Sequence, residues 1–151
     1  DGEIVAVYPE STISRSFELK EFKTGAVRMA GDADVPIVPA IVWGAQRQWT
    51  KTDTGTRQMG RSRLPVSVSY GEPLHVVADE ESHAATARLR EEMTRLLHQV
   101  QDDYDPHPAG EFWVPARLGG SAPTPEQARV IEDAEAVAKA AARAQKARGH
   151  R

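Results

Sequence analysis

The feature that most constrains this chain is a short apolar run closed by a proline turn. Ile4-Val5-Ala6-Val7 forms the centre of a segment, Glu3 to Tyr8, that reads as a mostly buried strand. Pro9 ends it, because a residue with no N–H and a fixed φ leaves a ladder and enters a turn. Glu10-Ser11-Thr12 then leads into the polar, basic segment Ser14 to Lys23. A second strand-length run follows at Val35 to Trp43, with Pro36 and Pro39 confined by their missing donors to a strand start, an edge or a bulge.

Between and after these runs the pattern alternates. Thr24 to Ala33 is predicted as a short helix with Ala26, Val27 and Ala30 on one face, stopped by Gly31-Asp32. Pro65 to Tyr70 alternates Val66 and Val68 with Ser67 and Ser69, a half-buried strand ended by Gly71. From about Asp79 to Tyr104, Leu89, Met93, Leu96, Leu97 and Val100 recur at spacings of three and four, and Asp79-Glu80-Glu81 suits a helix N-terminus. This helix is expected to cover the sheet, with Phe112-Trp113 packing back on it. Thr124-Pro125-Glu126-Gln127 carries a capping signature that opens a last helix to about Arg148. That helix is rich in Ala and charge, so it is expected to pack weakly. Residues 1–120 therefore form the foldable unit and residues 121–151 a helical tail.

Composition removes several function classes. The net charge of -3, from 19 basic and 22 acidic residues, gives no global case for nucleic acid. Acids at Glu132, Asp133 and Glu135 weaken a local one in the tail. The absence of cysteine excludes disulfides, thiolate zinc sites and a cysteine nucleophile. His75, His83, His107 and His150 lack metal-ligand spacing, so no metal is expected.

The first block has the chemistry of a phosphate site. A turn after a strand presents backbone N–H groups and the Ser11 and Thr12 hydroxyls to one small volume, and Arg15, Lys20 and Lys23 add positive charge around it. Tyr8-Pro9-Glu10-Ser11-Thr12 resembles the Phe-Pro-Glu-Gly-Thr block of the glycerolipid acyltransferases. Phe22-Lys23-Thr24-Gly25-Ala26 resembles that family's Phe-Lys-x-Gly-Ala, and Val35-Pro36-Ile37-Val38-Pro39 its Val-Pro-Ile-Val-Pro, in the same order and spacing. The resemblance covers residues 1 to about 75 and extends less specifically to about 120.

It implies an α/β fold, the rear half of a mixed sheet with flanking helices, and transfer of an acyl group to a lysophosphatidic acid type acceptor. The donor would be acyl-CoA or an acyl carrier protein thioester, with no other cofactor. It also implies that Glu10, Ser11 and Thr12 hold or frame the acceptor's phosphate, and that Val35, Ile37 and Val38 line an acyl groove. Ser11 stands where the family usually has Gly, and is expected in an ordinary backbone region. Ile13 stands where many members have Arg, a charge Arg15 can supply from a shifted position.

The family's general base is a His followed five positions later by Asp, placed before the Glu-Gly-Thr block. No His precedes Glu10 here, so the chain reads as the back part of a longer enzyme, inert alone, with the pair upstream. His98 and Asp103 have that spacing but come after the substrate blocks, and five residues turn about 140° around a helix. His98 is instead expected to be a solvated side chain on a charged face.

Residues 46–63 hold Arg47, Lys51, Arg57, Arg61 and Arg63 against Asp53, with Trp49 interleaved. Such a segment suits an anionic membrane surface or coenzyme A phosphates, and equally a solvated basic loop. The expected setting is the cytoplasmic face of a membrane, peripheral or held by an N-terminal anchor. A non-catalytic phosphate- or lipid-binding module on the same scaffold is the competing reading.

Overall fold

The computed structural model describes residues 2–48, 63–77, 80–104 and 106–148. The elements are α1 (Gly25–Ala33), β1 (Ala40–Trp43), β2 (Ser67–Tyr70), α2 (Ser82–Asp103) and α3 (Pro125–Arg148), with single 3-10 turns at Ala45–Arg47 and Ala116–Leu118. β1 and β2 pair antiparallel, Ala40 opposite Tyr70 and Trp43 opposite Ser67. Pro39, which has no N–H to give, separates this ladder from an isolated bridge in which Ile37 and Leu74 exchange both backbone bonds, at 2.9 and 2.8 Å. Helices packed on this small sheet make an α/β arrangement.

The 22-residue α2 organises the core, as its periodicity predicts. Its first half joins Leu89 and Ala85 to Phe22, Val27 and Leu74. Its second half joins Leu96, Leu97 and Val100 to Ile41 and Trp43 of β1, and Met93 packs against both groups. The helix opens at Glu81, whose side chain accepts the Ala84 N–H at 3.0 Å. The N–H groups of His83 and Ala84 hold that carboxyl below the usual glutamate range. Asp79 of the same acidic run lies outside the described residues.

α1 buries Val27 and Ala30 but is not stopped by Gly31-Asp32. It continues through both to Ala33 and ends at Asp34, which takes the left-handed conformation (φ 50°) that lets its N–H reach back to the Gly31 carbonyl. α3 opens with the predicted box: the Gln127 N–H donates to Thr124 Oγ1 at 3.3 Å, and the Thr124 N–H to Gln127 Oε1 at 3.0 Å. Ala128 is buried at its start, while Val130 and Val137 remain exposed. Of the aromatic pair after α2, Trp113 packs back and Phe112 stays exposed.

Two further expectations fail. Glu3 to Tyr8 forms no strand: Ile4 is 95% and Tyr8 89% exposed, and neither β1 nor β2 pairs with the segment. Apolar content makes a strand only where a ladder partner exists. β2 is half-buried with its sense reversed. Ser67 and Ser69 stand opposite the buried Trp43 and Ile41, so they share the face that α2 covers, and Val66, Val68 and Tyr70 are exposed.

Candidate functional site

The proline turn is built as the sequence suggests, but its last residue is not. The Ser11 N–H donates to the Tyr8 carbonyl at 3.2 Å, closing a turn with Pro9 in its second position. Ser11 itself has φ 58°, in the left-handed region, contrary to the ordinary conformation expected of it. The chain must reverse here within one residue, and the Lys23 N–H then reaches the Pro9 carbonyl at 2.9 Å. A glycine would adopt that step freely; serine adopts it at a cost.

Glu10 turns inward. Its Oε2 accepts the backbone N–H of Lys20 at 2.9 Å, and burial, the largest influence on it, pushes its pKa up. It is therefore a residue that positions the loop. From the opposite side Arg90 of α2 donates to the Lys20 carbonyl at 2.9 Å and the Leu19 carbonyl at 3.2 Å. Residues 9–23 are thus one pinned loop. Ser11, Thr12 and Lys23 lie exposed on it, and among the described residues neither hydroxyl nor the Lys23 ammonium makes a bond within the protein. Arg15 does not join them: it is buried and ion-paired with Glu135 of α3, while the Lys20 ammonium pairs with Glu132.

A polar network behind the loop is not evident from the sequence. Glu18 bonds His98 Nε2 at 3.1 Å and Arg117 Nε at 3.1 Å. Arg117 also bonds Gln101, a side chain only 1% exposed that donates to the Phe17 carbonyl at 3.5 Å. His98 is accordingly held by a carboxylate and not merely solvated, whereas Asp103 is exposed, so the two form no dyad. Nothing in the local sequence points to Arg117. The partners of Arg15 and Lys20 did have a signal, since Glu132 and Glu135 are three apart and share one face of a helix.

The remaining candidates divide. Ile37 packs into the core beside Phe22 and Leu89, while Val35 and Val38 are exposed, so the three do not line one surface. Arg47 lies over the Trp113 ring, 4.5 Å from its centroid, and Arg63 is exposed. Trp49, Lys51, Asp53, Arg57 and Arg61 lie outside the described residues. Trp43 is buried, its Nε1 donating to His107 Nε2 at 3.2 Å. Among the described residues no three His, Cys, Asp or Glu side chains are placed to hold a metal ion.

Comparison with known proteins bears on the loop directly. The family model described as Acyltransferase matches residues 1–43, which contain all three motifs. A 1-acyl-sn-glycerol-3-phosphate acyltransferase of Limnanthes douglasii is 35% identical over 69 residues, 46% of this chain and 23% of its own. The alpha form of that enzyme from Ovis aries is 28% identical over 99 residues, 66% of this chain and 33% of its own. The enzyme of Cocos nucifera is 31% identical over 68 residues, 45% of this chain and 20% of its own. The chain thus spans about a fifth to a third of the length of these relatives. No solved structure matches it. Residues 1–43, with the three motifs they carry, are thus similar to the glycerolipid acyltransferases.

Proposed function

We propose that this chain contributes the acceptor-binding part of a 1-acylglycerol-3-phosphate acyltransferase in phospholipid synthesis. The observation that carries the proposal is the pinned loop: Glu10 is turned inward to fix it, and Ser11, Thr12 and Lys23 are exposed on it. Two hydroxyls and an ammonium on a rigid turn suit a phosphate monoester, whose oxygens accept several charge-assisted bonds at once. The similarity to 1-acyl-sn-glycerol-3-phosphate acyltransferases supports lysophosphatidic acid as the acceptor class.

The donor we propose is a thioester of coenzyme A or of an acyl carrier protein, with no further cofactor. The exposed Val35 and Val38 support a place for them along an acyl chain. No residue here is assigned as the base, since no His precedes Glu10 and His98 comes on α2, after the substrate blocks. The chain by itself is accordingly expected to transfer no acyl group. Because the acceptor is a membrane lipid and the thioesters are cytosolic, we place the reaction at the cytoplasmic face of a membrane, with anionic headgroups as a further partner. Among the described residues no helix is long and apolar enough to cross a membrane.

The test is binding of short-chain lysophosphatidic acid to wild type, Thr12→Ala and Lys23→Gln, with monoacylglycerol as the phosphate-free control. Both changes should weaken binding of the phosphate lipid several-fold and leave the control unchanged. Equal losses for both lipids would mean that the loop does not read the phosphate.

A further inference from the structure

The cations of the loop are already occupied by the chain's own last helix. Glu132 and Glu135 lie one turn apart on α3, and each takes one cation of the loop: Lys20 for Glu132 and Arg15 for Glu135. The paired residues are 112 and 120 positions apart in sequence, so the contact is tertiary. It is also sheltered, with Arg15 9% and Glu132 18% exposed. Electrostatically the two glutamates stand where the charge of a phosphate ligand would be felt. Glu132 is near enough to Glu10 to act on it as a like charge.

α3 has little else to hold it there. Among the described residues Ala128 is its one buried apolar side chain, and Val130, Ile131 and Val137 are exposed. The second oxygen of Glu132, Oε1, is buried with no hydrogen-bond partner among the described residues, so the contact leaves part of that carboxylate desolvated without compensation. A helix attached mainly through two ion pairs, one of them imperfect, is displaced by a competing anion more readily than one attached by a packed apolar face.

We infer that α3 is an internal competitor for the loop: Glu132 and Glu135 hold Arg15 and Lys20 in a latched, low-affinity form, and a phosphate monoester releases the helix by taking those cations. The inference rests on the reading of residues 9–23 as a phosphate-binding loop. It adds Lys20 to the residues that meet the ligand and restores Arg15 to them on release. If the latch is closed in about nine molecules of ten, apparent affinity is lowered about tenfold, because only the open fraction binds.

The experiment titrates short-chain lysophosphatidic acid, and separately inorganic phosphate, into the full chain and its Glu132→Gln/Glu135→Gln variant at low and high salt. The double variant should bind both ligands about tenfold more tightly at low salt, with the difference shrinking at high salt as screening opens the wild-type latch. Hydrogen exchange on the unmodified protein needs no variant: α3 amides should exchange faster when the ligand saturates. Unchanged α3 exchange at saturation overturns the latch, as does equal affinity of the two forms. If only the lipid shows the difference, the acyl chain and not charge displaces α3, and the proposal fails. Arg15→Gln/Lys20→Gln in the double variant separates the two levels. Lost affinity there, with no effect of the glutamate changes, defeats the latch and leaves the loop reading standing. Retained affinity there defeats the latch and leaves the reading through Ser11, Thr12 and Lys23 standing, whereas no binding by any form defeats both.

Discussion

The backbone N–H of Lys20 is held by the Glu10 carboxylate at 2.9 Å, ten residues across the loop, while the Lys20 ammonium turns away to Glu132. One residue thus serves two acids, with its main chain closing the loop and its side chain tying the loop to α3. The acid of the Pro-Glu-Ser-Thr block acts here on the shape of the loop, and its neighbours Ser11 and Thr12 are left exposed.

The pH dependence of Glu10 follows from its burial. Its folded-state pKa is raised above the ordinary glutamate value, chiefly by desolvation. Its stabilising contribution is therefore complete below the ordinary pKa and is lost as pH rises through the raised one. Glu10→Gln keeps an oxygen for the Lys20 N–H and cannot ionise. Its stability relative to wild type should grow as pH rises through that window and level off above it, as urea midpoints from acid to neutral pH would record. A difference independent of pH would mean that ionisation of Glu10 costs nothing in the fold.

Ser11→Gly should stabilise the protein. The left-handed region costs an L-residue about 1–2 kcal/mol, and the extra unfolded-state freedom of glycine returns about 0.5–1 kcal/mol of that gain, so a net rise of about 0.5–1 kcal/mol remains. Thermal unfolding reads this as an increase of a few degrees. A fall in melting temperature would show that the serine side chain contributes more than the backbone strain removes.

His107 gives the opposite pH signature. Its ring lies among Trp43, Tyr104 and Trp113, and burial first, then repulsion from Arg117, lowers its pKa. As the acceptor for Trp43 Nε1, its Nε2 is unprotonated in the folded chain. Its contribution is present above the ordinary histidine pKa and lost as pH falls through the lowered one. His107→Gln retains an acceptor without the titration, so its melting temperature should fall less than that of wild type on acidification. Parallel curves for the two proteins would exclude His107 as a source of acid sensitivity.

Gly44 closes the sheet at its far end. With φ 101°, it follows β1 so closely against residue 65 that a Cβ would run into the Pro65 carbonyl oxygen, the same oxygen that accepts the Tyr104 hydroxyl at 2.7 Å. Gly44→Ala should cost at least about 2 kcal/mol, combining a strained conformation with that collision. Tyr104→Phe removes that bond and a longer one from Arg47 Nη1 at 3.4 Å, without a clash, and should cost about 1 kcal/mol. Chemical denaturation of the two variants orders them, and a milder effect at Gly44 would contradict the geometry.

What the sequence revealed was local. α2 was legible because its apolar period repeats from Leu89 to Val100, over about three turns. The Thr124 and Gln127 box was legible because both partners lie within one turn. Pro36 and Pro39 marked the entry to β1 through a missing N–H, and three ordered motifs carried the resemblance. The rest depended on distant partners. Ile4 to Val7 looks like a strand, but its hydrophobicity says nothing of what would pair with it. The attachment of Arg15 and Lys20 to α3 joins residues more than a hundred positions apart, and the φ of Ser11 answers to the bond between Pro9 and Lys23. All the proposed phosphate residues lie on the loop of residues 9–23, but the inward turn of Glu10 and the burial of Arg15 against Glu135 could be located only by the fold.

The reversed sense of β2 means that a saturation-mutagenesis profile of this strand would run against its hydropathy. Position 69, occupied by a polar residue, faces the buried Ile41 beneath α2, and just past the strand a Cβ on Gly71 would stand 3.3 Å from Pro39 Cβ. Bulk is thus restricted where the serines are. Position 68, occupied by valine, is open, and Thr or Lys there should leave folding intact. A substitution matrix that scores valine as core and serine as surface would rank the tolerance of these two neighbours in the wrong order.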